Sequence, residues 1–174
     1  MNSLPGFLPG VAASFAVGAV SSGRAARALG VSRPVAFGLV LFAGIIASAT
    51  LTPYTEAAPG SQHPGICDFT RVGLASLRDL LREGDVSGNV LMFVPLGVCL
   101  AALPRSRSKA ILIVAAVAFP FLIEGTQLLV PVLHRACESA DIVDNLTGLV
   151  AGLVLGAVVS GPFTRARLGP GSRA

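Results

Sequence analysis

Residues 124–152 read EGTQLLVPVLHRACESADIVDNLTGLVAG, and the fold turns on how this stretch is understood. It places Glu124, Gln127, Arg135, Asp141, Asp144 and Asn145 inside or beside strongly apolar runs. A charged side chain at a bilayer centre costs about 2.5 to 3.5 kcal/mol even on lenient insertion scales, so such residues mark where function is to be sought. The whole chain has the same character. Of its 174 residues 53% are hydrophobic and 13% charged, with a mean hydropathy of +0.76. A soluble domain carries about a quarter charged residues. The composition therefore points to a single lipid-embedded domain over 1–174.

Five apolar runs are readable, at Leu4–Val20, Val35–Pro53, Val86–Leu103, Ala110–Val132 and Ile142–Ser160. Each is close to the roughly 20 residues that cross a bilayer as a helix. Lipid offers the backbone no hydrogen-bond partners, so the expected fold is an all-α polytopic bundle of about five transmembrane helices. The first run could be a signal peptide, but its arginines follow it rather than precede it, which favours an uncleaved helix. In the long second connection, Leu74, Leu77, Leu80 and Leu81 recur at helical spacing. Ser61–Glu83 is therefore expected to hold a short amphipathic helix on the outer surface, either in contact with lipid or solvated as a cap on the bundle.

Basic residues set the expected orientation. Arg24, Arg27 and Arg33, then Arg105, Arg107 and Lys109, then Arg165, Arg167 and Arg173 fall in connections or a tail without acids. The remaining Arg71, Arg78, Arg82 and Arg135 lie in the other two connections. The positive-inside rule then puts the N-terminus outside and the C-terminus in the cytoplasm. The basic residues are scattered between apolar runs, so topology explains the net charge of +4 better than nucleic-acid binding does.

With that orientation, the polar residues of three spans gather at the outer face. Asp85 and Asn89 are one helical turn apart at the start of the third run, where Asp85 can cap the helix. Glu124 and Gln127 share a face near the end of the fourth. Asp141, Asp144 and Asn145 open the fifth, where acids suit the positive end of the helix dipole. Asp141, Asn145, Gly148, Gly152 and Gly156 form one narrow stripe that suits close helix packing. Arg135 is the local counter-ion for Glu124 or Asp141, or a fork for phosphate. His134 beside it reads as a solvated loop residue. Cys67 and Cys137 both fall on the outer, oxidising side and could pair. Cys99 reads as a small core residue. No CxxC, HExxH or GxSxG pattern occurs, and a structural metal site is not expected.

The string GDVSGNVLMFVPLG (Gly84–Gly97), then Glu124 and Gln127, then Arg135 and ADIVDNLTGLVAG (Ala140–Gly152) resembles the VanZ-like family, over about 85–156. The matching positions are Asp85, Asn89, Phe93, Pro95, Gly97, Glu124, Gln127, Arg135, Asp141, Asp144, Asn145 and Gly148. The family is named for a protein associated with resistance to the glycopeptide teicoplanin. The resemblance implies a bacterial membrane protein acting at the outer face, where cell-wall precursors and such drugs meet. It does not supply a reaction.

Three readings follow. In the first, the protein binds or alters an envelope lipid such as a polyprenyl-linked precursor, with Arg135 on its phosphate. The second is a membrane enzyme acting on a polyprenyl phosphate, with Mg²⁺ on Glu124, Asp141 and Asp144, or with one carboxylate as a base. In the third, the polar groups lock a structural or partner-binding bundle.

Overall fold

A computed structural model describes residues 6–53, 66–81 and 84–167, with backbone only for Asp85 and for 160–167. The described residues are all-α apart from one short ladder. The elements are α1 (Phe7–Leu29), α2 (Arg33–Leu51), β1 (Cys67–Asp68), α3 (Leu77–Leu80), α4 (Asp85–Ala101), α5 (Arg107–Leu129), a 3-10 turn (Pro131–Leu133), β2 (Cys137–Glu138) and α6 (Ser139–Arg167).

Among the described residues, three helices are long and apolar enough to cross a membrane: α2, α5 and α6 as far as Val159. The helix α1 has the length, but its Gly, Ser, Pro and Arg residues lower its hydropathy. The helix α4 is apolar but has only 17 residues. Hydroxyls within the helices bond back to carbonyls one turn earlier, as with Ser14 to Gly10, Ser48 to Gly44, Thr50 to Ile46 and Thr147 to Val143. This satisfies them without water, as an apolar surrounding requires.

Small residues decide how the helices meet. The helices α1 and α2 form an antiparallel hairpin in which Gly10 faces Ser48 and Gly44 faces Ser14. The helices α4 and α6 pack closer still. A β-carbon at Gly148 would run into the Val90 carbonyl, and one at Gly152 into that of Val94. Gly97 lies as tightly against Leu149, and Gly156 against Val98 and Ala101. The partner numbers rise together along both helices, so α4 and α6 run parallel. The core between them and α2 and α5 is built from Ile46, Phe93, Leu100, Ile123 and Leu149. Pro95 and Pro120 lie within α4 and α5 without ending either helix.

The amphipathic helix expected over Ser61–Glu83 shrinks to the single turn α3 among the described residues. Residues 61–65, 82 and 83 lie outside them, as do 54–60, 168–174 and the first five. The reason is local competition. Cys67 and Asp68 pair in parallel with Cys137 and Glu138. Asp68 then accepts the Thr70 N–H at 2.7 Å, and Ser139 Oγ donates to the Arg71 carbonyl at 2.8 Å. These bonds hold the backbone out of a helix until Ser76 caps α3.

Candidate functional site

The C-terminus of α2 leaves its last carbonyls without intrahelical partners. Residues distant in sequence supply them. Arg135 Nε donates to the Thr52 carbonyl at 3.3 Å, and its Nη2 donates to the Ala49 carbonyl. Gln127 Nε2 donates to the Thr50 carbonyl at 3.1 Å. A guanidinium at a helix C-terminus also meets the negative end of the dipole. Two motif residues, one on α5 and one on the loop after it, thus close α2.

Glu124 is buried at the same level. Its Oε2 accepts the Glu138 N–H at 2.8 Å, which fixes β2 over the end of α5. Arg135, Glu138 and Asp141 are all near enough to act on it electrostatically. His134 sits between, in the left-handed conformation at φ 53°, with its N–H on the Pro131 carbonyl.

At the start of α6, Asp144 is 1% exposed and pairs with Arg71 Nη2 at 2.5 Å. Arg71 also reaches the Ala140 and Gly73 carbonyls, and Asp141 adds to the field around it. The bond to Asp144 holds its guanidinium above the ordinary arginine range, so it stays cationic. The sequence reading offered Arg135 as counter-ion for this region but counted Arg71 only as a loop charge. The signal for Arg71 lay in the cysteines. A Cys67–Cys137 link carries the chain just beyond Cys67 onto the first turns of α6. The structure joins the two cysteines, with Cα atoms 4.6 Å apart.

Asn145 is also 1% exposed, and among the described residues its Oδ1 has no hydrogen-bond partner. One turn before Gly148, it stands level with the first turn of α4, where half-buried Asn89 follows. The backbone of Asp85 opens α4 at this same end; its side chain lies outside what is described. Glu124, Gln127, Arg135, Asp141, Asp144, Asn145 and Asn89 therefore occupy one end of the bundle.

The Mg²⁺ reading does not fit this donor set. Glu124 is bonded to a backbone amide and Asp144 to Arg71. Among the described residues no group of three or more His, Cys, Asp or Glu side chains is arranged to hold a metal ion.

Fold and site together define a helical membrane protein whose one end is closed by buried, charged, long-range contacts. The chain matches the VanZ/LLP1 family over residues 24–160, from the end of α1 to the body of α6, and belongs to that family. No curated protein and no solved structure matches it.

Proposed function

We propose that this VanZ-like membrane protein crosses a bacterial cell membrane five times, with its N-terminus outside and its C-terminus in the cytoplasm. Its polar end then acts at the outer face, on or near lipid-linked intermediates of the envelope, and contributes to tolerance of glycopeptides such as teicoplanin. The observation that carries this reading is the Cys67–Cys137 bond beside the Arg71–Asp144 pair, whose carboxylate is buried. Disulfides persist in oxidising compartments. The arginine-rich connections after α1 and before α5, at the opposite end, support the same orientation. At about 25 Å, α4 needs little local thinning to serve as a span beside α6.

The partners on this reading are membrane lipid and a polyprenyl-phosphate precursor, with no nucleic acid. Arg71, 31% exposed at its side chain, is better placed than Arg135 to meet a phosphate. On this reading Asn89, on the first turns of α4, borders that contact, and Asn145 Oδ1, without a hydrogen-bond partner among the described residues, offers an acceptor to a sugar or peptide donor. An enzyme acting on the same lipid is the alternative, with its catalytic group unassigned. A structural bundle is favoured by one specific observation: Arg135, Gln127 and Glu124 are all bonded to backbone.

Mass spectrometry of lipid carried by the purified protein tests the first reading. A polyprenyl phosphate is expected; bulk phospholipid alone would reject it. In the native host, Glu124→Gln and Arg135→Lys separate site from scaffold. Loss of glycopeptide tolerance at unchanged abundance supports a site, whereas loss that tracks protein abundance supports the structural bundle. A cytoplasm-only reporter fused after Ala174 should give signal, and its silence would reverse the orientation.

A further inference from the structure

The segment from β1 through α3 is built inside out for a water-facing loop. Ile66, Phe69, Val72, Leu74, Leu77 and Leu81 are between 66 and 78% exposed. Its polar groups turn inward or onto each other instead. Arg71 goes to Asp144, Asp68 to the Thr70 N–H, and Asp79 to Ser76 Oγ at 2.5 Å. Soluble surfaces rarely gather so much apolar area in one place.

The segment cannot leave the bundle. Cys67 is bonded to Cys137, and Arg71 is held by α6 three residues farther along its own chain than Asp68. Its apolar side chains therefore meet whatever surrounds the helix ends. Leu129 and Val132, at the end of α5 and in the turn beyond it, are 78 and 65% exposed and stand within eight residues of β2, the partner of β1. The apolar surface is thus continuous with the lipid-facing side of a membrane-spanning helix.

We propose that Ile66–Leu81 is an in-plane strap seated in the interface of the bilayer that holds the bundle, with its apolar side chains among the upper acyl segments. Arg78, exposed between Leu77 and Leu81, reaches headgroup phosphates from there. The strap then fixes how deep the polar end sits, and gives a lipid-borne ligand a path along the membrane plane to Arg71. This inference goes beyond the functional reading above and holds whichever side of the membrane the strap faces.

The chain contains no Trp, so one introduced indole reports without background. Phe69→Trp and Leu77→Trp would be reconstituted separately in vesicles of phosphatidylcholine and phosphatidylglycerol with brominated acyl chains. Val117→Trp, on the exposed face at the middle of α5, is the depth reference. Expected for both strap positions is blue-shifted emission, quenched several-fold more by bromines near the headgroup than by bromines near the chain end, and weakly by aqueous iodide. Val117→Trp should show the reverse depth order. Water-like emission with full iodide access would overturn the proposal. So would blue emission that lapses as the protein is diluted with lipid, because a second copy of the chain would then be covering the face. One strap position follows β1 and the other lies in α3, so misfolding of one variant leaves the other to decide.

Discussion

At one end of the bundle Lys109 Nζ reaches back eight and six residues, to the Ala101 and Leu103 carbonyls, each at 2.9 Å. At the other end Arg135 reaches Thr52 and Ala49 across 83 and 86 residues, and Arg71 reaches Asp144 across 73. Both ends use cations to close helix C-termini, but the first does so within one hairpin. The second closes only when α2, the strap, α5 and α6 have all arrived. The matching family residues Gln127 and Arg135 belong to the second kind. An end assembled from distant parts has no local substitute for a lost contact, so damage there should propagate. Damage at the Lys109 end should stay local.

The largest effect is expected at the strap. Arg71→Met leaves Asp144, 1% exposed, without its cation. Breaking a fully buried pair costs about 3 to 5 kcal/mol; with the Arg71 side chain 31% exposed the loss here should be about 2 to 3 kcal/mol. Unfolding of the purified protein in mild detergent should show that loss, and Asp144→Asn added to Arg71→Met should recover part of it. An unchanged unfolding midpoint in Arg71→Met would mean that the pair ties nothing together. The two ends would then differ in sequence distance alone.

Arg135→Lys comes next, at about 2 kcal/mol, because an ammonium keeps the charge but cannot fork onto two carbonyls. Gln127→Leu removes a neutral bond to the next carbonyl and should cost about 1 kcal/mol. Both serve the same helix end, so their combined cost should depart from the sum. Strict additivity would show that the α2 terminus is not one unit.

These contacts also show where the sequence stopped being legible. Each of the five apolar runs falls largely on one helix, α1, α2, α4, α5 or α6, though α1 continues nine residues past its run and, among the described residues, only α2, α5 and α6 are long and apolar enough to span. The stripe through Gly148, Gly152 and Gly156 announced a close helix contact, since spacing fixes a helix face, but not that its partner is α4. Ser61–Glu83 was legible only in part: Leu77 and Leu80 do share a helical turn, α3, but the described residues before it are not helical. Its leucines have helical spacing, but β1 pairs with a strand 70 residues away, and no local pattern records that. Arg135 was read by charge, which directs attention to acids. Its Nε and Nη2 partners are main-chain carbonyls, identical at every position and invisible in a sequence. Arg71 was hidden in a loop read only for topology, although the cysteine pairing would have placed it.

The smallest effect is expected for Lys109→Met, and it is the sharpest control on the contrast between the ends. Met keeps the length and the apolar stem of the side chain but removes the three donors. The Lys109 N–H, held by Ser106 Oγ at 3.2 Å as the cap of α5, is untouched by the change. The Ala101 and Leu103 carbonyls that lose their partner lie where α4 ends, at the edge of the apolar region. There the carbonyls can turn to water, whereas those of Ala49 and Thr50 lie under the packed polar end. The cost should therefore be about 1 kcal/mol or less. Orientation should hold as well, because Arg105 and Arg107 remain in the same connection. Combined with Arg135→Lys, the losses should add, since the two sites lie at opposite ends and share no partner. A loss equal to that of Arg135→Lys, or strong coupling between the two, would show that the local hairpin and the long-range end fold as one unit.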